Sequence, residues 1–229
     1  MKAFLLRLAL ATTIMVPVSS AMAADLDPPP PIDDLRPATY DFSIGIFGAA
    51  NAIDGRYDVC GGCDPDMSGI GYGFGVKAGW DYYSDNFVIG VVGDWMFGGR
   101  LADNDDPVEA TYLDMNYLAT ARLRAGFNLD HTLIYLTGGY AAAQMEFGGL
   151  VGPASIHDSD TKWTHGWTIG GGIEHAVTDA LTVSLEYLYV DLDTTSHTLS
   201  DGMGAGGTLD MMYDDIHTIR AGINYRFSL

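Results

Sequence analysis

The stretch that decides the fold lies close to the C-terminus and reads Thr218-Ile219-Arg220-Ala221-Gly222-Ile223-Asn224-Tyr225-Arg226-Phe227. Every second residue from Ile219 to Phe227 is apolar, whereas the residues between them are polar, charged or glycine. Because successive side chains of a β-strand point to opposite faces, this alternation predicts a strand with one apolar face and one wet face. The same alternation recurs along the chain, so we expect a β-sheet that separates oil from water.

The N-terminus has the features of a secretory signal peptide. Lys2 and Arg7 accompany a short apolar run over residues 8–18, and residues 21–23 fit an A-x-A cleavage site. We predict a signal peptide over residues 1–23 and a proline-rich, extended periplasmic leader over residues 24–38. No later stretch approaches the roughly 18 apolar residues of a membrane helix. If this exported chain crosses a membrane, it must therefore do so as a closed sheet.

Eight alternating segments follow, and we predict that they form one domain over residues 39–227. The predicted strands span residues 39–51, 70–82, 87–98, 114–127, 132–146, 164–176, 181–194 and 214–227. Short turns over residues 84–86, 128–131 and 177–180 alternate with long loops over residues 52–69, 99–113, 147–163 and 195–213. This pattern is typical of an all-β, eight-stranded antiparallel up-and-down transmembrane β-barrel, with the turns and both termini on the periplasmic side.

Ten charged residues fall on the wet faces of the predicted strands. They are five acids and five bases, namely Asp41, Lys77, Asp81, Asp94, Arg122, Arg124, Glu174, Glu186, Arg220 and Arg226. A charge on the lipid face would cost about 2–4 kcal/mol near the membrane midplane, whereas buried charges are tolerated when they are paired. Since an eight-stranded barrel is just wide enough for side chains to fill it, we predict a packed and neutral ionic network in the interior.

Aromatic residues cluster near both ends of the predicted strands, which indicates two interfacial girdles. The predicted girdle at the turn end contains Tyr40, Trp80, Tyr82, Phe87, Phe127 and Phe227. The predicted girdle at the loop end contains Trp95, Phe97, Tyr117, Trp167, Tyr187 and Tyr189. General enrichment of aromatic residues in strands is the alternative explanation.

The excess acids fall in or beside the predicted loops, and the formal net charge of the chain is -19. They are Asp58, Asp64, Asp66, Asp103, Asp105, Asp106, Glu109, Asp158, Asp160, Asp201, Asp210, Asp214 and Asp215. An acidic surface disfavours nucleic acid and can attract divalent cations or a basic partner. A solvated loop surface is the simplest interpretation.

Cys60-Gly61-Gly62-Cys63 lies in the first predicted long loop. Two cysteines in an exported chain favour one disulfide. Half of a metal site, or two unpaired or modified cysteines, are the alternatives, and no second pair completes a zinc site.

The sequence contains no convincing catalytic or cofactor motif, so we predict that the chain is not an enzyme and uses no cofactor. Residues 73–78 match a G-x-G-x-x-A pattern, but they lie inside a predicted strand without a following helix. No metal-ligand spacing appears among the histidines, which are His131, His157, His165, His175, His197 and His217.

Two strands carry a resemblance to a known family. Residues 117–127 read Tyr-Leu-Ala-Thr-Ala-Arg-Leu-Arg-Ala-Gly-Phe, and the closing strand reads as quoted above. The chain resembles the small eight-stranded outer-membrane β-barrel family, which includes opacity-type surface proteins and OmpA/OmpX-type barrels. The resemblance implies a location in the outer membrane of a Gram-negative bacterium, contact with its lipid, and insertion by the barrel-assembly machinery.

The resemblance also implies an assembly signal at the C-terminus. Arg220, Gly222, Tyr225 and Phe227 are similar to the signal that the assembly machinery reads, with a polar residue, a glycine and then two aromatics two residues apart. The usual signal ends the chain at its last aromatic, whereas two residues follow Phe227 here.

Two functions remain open from the sequence. The first is a structural barrel that anchors the envelope and displays acidic surface loops. The second is a small non-specific porin that passes small solutes. A lipid-modifying enzyme would need a nucleophile and a histidine on one outward face near the loop end, and the sequence does not point to that arrangement.

Overall fold

A computed structural model describes residues 39–57, 66–104, 111–151, 156–193, 195–200, 206–212 and 215–228. Eleven strands lie in these ranges: β1 (Thr39–Tyr57), β2 (Asp66–Ser84), β3 (Phe87–Phe97), β4 (Arg100–Asn104), β5 (Thr111–Leu129), β6 (Thr132–Val151), β7 (Ile156–Ala176), β8 (Leu181–Leu192), β9 (Thr195–Ser200), β10 (Gly206–Met212) and β11 (Ile216–Ser228). Among these residues, no helix is long and apolar enough to cross a membrane.

Eight of the strands in the described ranges close into a ring. They pair antiparallel in the order β1, β2, β3, β5, β6, β7, β8 and β11, and β11 pairs back with β1. The short strand β4 pairs with β5, whereas β9 and β10 form a hairpin whose β10 pairs with β1. The eight-stranded antiparallel barrel that the sequence predicts is therefore confirmed.

The register of the pairing fixes the width of the barrel. Starting at Asp41 and stepping from partner to partner around all eight strands, one returns to β1 at Asn51, ten residues further on. With about 3.3 Å per residue and about 4.8 Å between strands, this shift implies a strand tilt of about 40° and a backbone radius of about 8 Å. After side chains are added, little of that cross-section remains.

Two tight turns at one end of the barrel depend on aspartate. Asp85 and Asp130 have positive φ values of 51° and 54°, in the left-handed region that aspartate tolerates better than most residues. They connect β2 to β3 and β5 to β6. A third turn, over residues 177–180, connects β7 to β8 and is held by a hydrogen bond from the amide of Leu181 to the Thr178 hydroxyl, 3.0 Å. We call this the turn end of the barrel and the opposite end the loop end.

The predicted strand boundaries are wrong mainly at the loop end, where most strands are longer than predicted. Strand β1 continues to Tyr57 and β7 begins at Ile156, so parts of the predicted long loops belong to the sheet. The predicted loop over residues 195–213 contains the β9–β10 hairpin. The apolar alternation stops before the strands do, because backbone pairing between neighbouring strands continues where the side chains no longer face oil.

Alternation along the strands sorts the side chains into an outward and an inward set. The outward set is apolar over the middle of the wall and includes Ile46, Val76 and Leu123, each more than half exposed in the isolated chain. The inward set contains the buried charged and polar residues. The outer surface of the barrel is thus apolar and its interior is partly charged.

Candidate functional site

The candidate site is the charged interior of the barrel. The ten charged residues predicted to face inward lie on seven of the eight ring strands at the inward positions of the register. Eight of them are buried, whereas Lys77 and Arg226 are intermediate in exposure. The structure brings most of them together in two clusters, one above the other along the barrel axis.

The cluster nearer the loop end is centred on Arg122. Its guanidinium donates to Asp94 Oδ2 at 2.7 Å and to Glu186 Oε1 at 2.9 Å. Its Nε donates to the Thr120 hydroxyl at 2.9 Å, and that hydroxyl donates to Asp94 at 2.5 Å. Arg220 reaches the other oxygen of Asp94 at 2.9 Å. Charged groups from β3, β5, β8 and β11 are therefore joined across the interior.

The cluster nearer the turn end is centred on Arg124. Its Nε donates to Asp81 Oδ1 at 2.6 Å, its Nη2 makes a second bond to the same carboxylate, and its Nη1 donates to Glu174 at 3.2 Å. Glu174 also accepts from Arg226 at 3.0 Å and from the Thr182 hydroxyl at 2.9 Å. Groups from β2, β5, β7, β8 and β11 meet here, so this cluster also spans the interior.

Three further contacts surround or connect the clusters. The Lys77 ammonium donates to the Ser184 hydroxyl at 3.0 Å. The Tyr135 hydroxyl donates to Glu186 at 3.1 Å, while the guanidinium of Arg124 lies 5.4 Å from the centroid of the Tyr135 ring. Tyr135 therefore contacts one member of each cluster and links the two clusters.

Some buried polar atoms in the same region have no protein partner. Among the described residues, they include Nε and Nη2 of Arg220, Nε of Arg226 and Oδ1 of Asn224. Buried polar groups without a protein partner are usually satisfied by ordered water. The charged part of the interior can therefore hold water between its side chains.

An apolar layer lies in the loop half of the interior, and the sequence analysis did not predict it. Its members are Phe47, Ala49, Ile53, Met96, Met115, Leu118, Ala141, Ala143, Met145, Leu188, Val190, Leu192 and Ile216, which we call the loop-end plug. A smaller apolar group at the turn end contains Tyr83, Val88, Leu133 and Tyr135. The interior thus has a charged middle between two apolar layers.

The outward aromatic residues lie at two levels, as a pair of girdles requires. At the turn end, the Tyr40 ring lies 5.9 Å from Trp80 and 5.2 Å from Tyr82, and Phe87 lies 5.6 Å from Phe127. At the loop end, the ring contacts include Trp95 with Tyr117 at 5.6 Å, Phe97 with Tyr117 at 5.8 Å and Trp167 with Tyr189 at 5.5 Å.

Two outward tyrosine–histidine pairs at the loop end were also missed. The Tyr140 hydroxyl lies 2.5 Å from Nδ1 of His165, and the Tyr187 hydroxyl lies 2.6 Å from Nδ1 of His217. Both pairs join residues that are diagonal neighbours on adjacent strands. No local sequence pattern signals these pairs, because strand register is needed to bring the partners together.

The residues of the proposed assembly signal divide between the two faces of β11. Arg220 and Gly222 face inward, whereas Tyr225 and Phe227 face outward. The Phe227 ring contacts Tyr225 at 4.7 Å and Phe42 of β1 at 6.0 Å. Phe227 is also the register partner of Phe42, so it lies at the seam that closes the barrel.

Other predicted features lie partly or wholly outside the described residues. Cys60 and Cys63 are outside them, as are seven of the loop acids: Asp58, Asp64, Asp105, Asp106, Glu109, Asp201 and Asp214. Five acids assigned to loops belong instead to strands, namely Asp66, Asp103, Asp158, Asp160 and Asp210. Within the described part of the chain, no cluster of three or more histidine, cysteine or acidic residues is placed to hold a metal ion.

The family of the chain follows from comparison with known proteins. Residues 9–227 match the outer membrane protein beta-barrel domain family, and the chain belongs to it. It is 29% identical over 153 residues to the 25 kDa outer-membrane immunogenic protein of Brucella canis, with 67% of this chain and 64% of the relative covered. It is 28% identical over 163 residues to a 22 kDa outer membrane protein of Rhizobium leguminosarum bv. viciae, with 68% and 67% covered.

Solved structures show the same fold at low sequence identity. The outer membrane protein OprG of Pseudomonas aeruginosa superimposes with a TM-score of 0.52 at 14% identity, over 83% of this chain and 96% of OprG. Ail of Yersinia pestis gives a TM-score of 0.46 at 15% identity, over 84% and 100% of the two chains. The family match and the named relatives place the chain in the outer membrane of a Gram-negative bacterium, in contact with membrane lipid.

Proposed function

We propose that the protein is a structural outer-membrane barrel that anchors the envelope and displays acidic loops, with its lumen filled by the ionic network. The observation that carries this proposal is the pair of arginine-centred clusters in the interior. Arg122 and Arg124 each hold two carboxylates from different strands. Groups held in this way fill the cross-section instead of lining a channel.

The dimensions of the barrel support a closed lumen. A backbone radius of about 8 Å leaves room for one layer of inward side chains and little more. The five acids and five bases among these ten inward residues balance, so this group has no net charge that would favour one sign of ion. Breaking any one pair would leave a buried charge, which disfavours spontaneous opening.

The display of loops is supported by the names of the relatives. The Brucella proteins that this chain resembles are named outer-membrane immunogenic proteins, and loops that the immune system can reach would fit such a name. We extend this property to the present chain. Divalent cations at the loop acids and insertion by the barrel-assembly machinery are parts of the same proposal, as is the absence of enzymatic activity.

A small non-specific porin is the second candidate. It is favoured by the buried polar atoms of Arg220, Arg226 and Asn224, which indicate that water enters the charged region. In this case the clusters would line a narrow wet path rather than block it.

Conductance in planar bilayers separates the two candidates. Purified, folded protein that gives no steady channels at physiological salt supports the structural function, whereas steady channels support the porin. A second experiment tests anchoring itself: cells that lack the gene should become more sensitive to detergent and to chelator. Unchanged sensitivity to detergent and chelator would contradict the envelope role, even if the protein conducts no ions in planar bilayers.

A further inference from the structure

The loop-end plug has properties that the charged middle of the interior lacks. Nine of its members are fully buried, namely Met96, Met115, Leu118, Ala141, Ala143, Met145, Leu188, Val190 and Ile216. The plug draws side chains from six of the eight ring strands, namely β1, β3, β5, β6, β8 and β11. It is therefore a layer across the interior and not a patch on one wall.

We propose that the loop-end plug is a hydrophobic gate, and that it is a higher barrier to water and ions than the ionic network that fills the middle of the lumen. This inference rests on the closed lumen of the proposed function and names the part of the interior that closes it. Apolar constrictions in channels block ions by excluding water from a short segment of the path.

The order of residues along the strands places the plug on the loop side of the charged clusters. On β5, Leu118 lies nearer the loop end than Arg122, and on β8 Leu188 follows Glu186 toward the same end. On β3, Met96 follows Asp94. Phe47 and Ala49 lie beside Arg220, where the two layers meet, and the rest of the plug lies beyond the clusters toward the loop end. A path along the axis therefore crosses both layers, and the higher of the two barriers determines the flow.

The two layers differ in their ability to hold water. The charged layer contains the buried polar atoms without protein partners on Arg220, Arg226 and Asn224, and a polar site of this kind is where internal water is found. At the level of the plug, the Thr218 hydroxyl donates to Asn51 Oδ1 at 3.0 Å, whereas Asn51 Nδ2 is buried and has no protein partner among the described residues. Apolar interior space stays dry. The level of the plug contains one such polar atom, on Asn51, against four on Arg220, Arg226 and Asn224, and the plug's own side chains are apolar, so it is the drier layer and, for an ion, the higher barrier.

Two cross-strand partners in the plug can be made more polar while their side chains stay branched at Cβ. Val190 of β8 and Ile216 of β11 are register partners on the inward face. The double variant Val190→Thr/Ile216→Thr keeps branched side chains suited to a strand and adds two hydroxyl groups to the plug. A matched control is Val183→Thr/Ile223→Thr, which makes the same changes in register partners on the outward face of the same two strands.

The readout is the ion conductance of each folded variant in planar bilayers, with folding checked by the gel mobility of unboiled samples. We expect the plug variant to conduct at least about ten times more than the wild-type chain, which corresponds to a barrier lower by about 1.4 kcal/mol. The control variant should match the wild type. The variant Arg122→Gln/Glu186→Gln, which removes one pair from the charged layer, should raise the conductance much less than the plug variant does.

Two results would overturn the gate. One is a folded plug variant that conducts no more than wild type, and the other is a charged-layer variant that conducts as much as the plug variant. If the plug variant does not fold, Leu118→Ala replaces it, because this change thins the plug without adding a polar group, and the same outcomes apply. Steady conductance of the wild-type chain would instead contradict the structural function, so the two failures can be told apart.

Discussion

Replacing Arg124 with alanine should destabilise the barrel more than most single changes in its interior. Arg124 is 5% exposed and makes three charged hydrogen bonds, two to Asp81 and one to Glu174. Without it, Asp81, which is 2% exposed, loses the guanidinium that neutralises it. Glu174 keeps its contacts with Arg226 and Thr182, so most of the loss in stability comes from the unpaired carboxylate of Asp81.

The expected cost is about 3–5 kcal/mol, the range for breaking a buried ion pair by removing one partner. With a urea dependence of about 2 kcal/mol per molar, the midpoint of unfolding should fall by about 1.5–2.5 M. The assay is urea unfolding of the barrel in lipid vesicles, followed by tryptophan fluorescence and by gel mobility of unboiled samples.

Two variants check the reasoning about Arg124. Adding Asp81→Asn to Arg124→Ala should restore part of the lost stability, because it removes the carboxylate that was left without its partner. Arg226→Ala should cost less, since the Arg226 side chain is 13% exposed and makes one charged contact to Glu174. An unchanged midpoint for Arg124→Ala, or no recovery on adding Asp81→Asn, would refute the idea of a tightly packed network.

Three further predictions concern the wall and its closure. Gly170→Ala should lower the free energy of unfolding by about 1–3 kcal/mol, because the new methyl group would collide with a backbone carbonyl of β8. A methyl group at Gly48 meets nothing within 4 Å, so the control Gly48→Ala should be tolerated in the same urea assay. Leu123→Arg should cost about 2–4 kcal/mol in that assay, since Leu123 faces lipid near the middle of the wall. Phe227→Ala should reduce the folded protein in outer-membrane fractions much more than Ser228→Ala, because Phe227 lies at the seam with β1; normal assembly of Phe227→Ala would show that the signal lies elsewhere.

The fold was predictable because its dominant signal is local. Alternation over residues 218–227 depends only on the two solvents that the strand separates, and a single sequence shows it. The turns were predictable for a similar reason, since Asp85 and Asp130 provide the backbone conformation that a tight turn needs. The strand ends at the loop side were not, because pairing continues there between side chains with no apolar pattern.

The membership of the charged interior was predictable, but its pairing was not. Because a charge that faces lipid is costly, all ten residues can be assigned to the inward face of their strands without any knowledge of the register. Which acid meets which base depends on the shift of ten residues around the ring, a property that no local pattern contains. The two tyrosine–histidine pairs were missed for the same reason.

The loop-end plug had a signal in the sequence that alternation alone conceals. Residues 187–190 read Tyr-Leu-Tyr-Val, and residues 141–143 are three alanines, so both faces of β8 and β6 are apolar there. A strand that is apolar on both faces is buried on both sides, and in a barrel one of those sides is the interior. The break in alternation therefore marks the depth at which the side chains in the lumen change from mainly charged to mainly apolar. The alternation of apolar and polar residues locates the lipid face. A stretch of strand that is apolar on both faces locates the plug in the same way, because its inward side chains are apolar too.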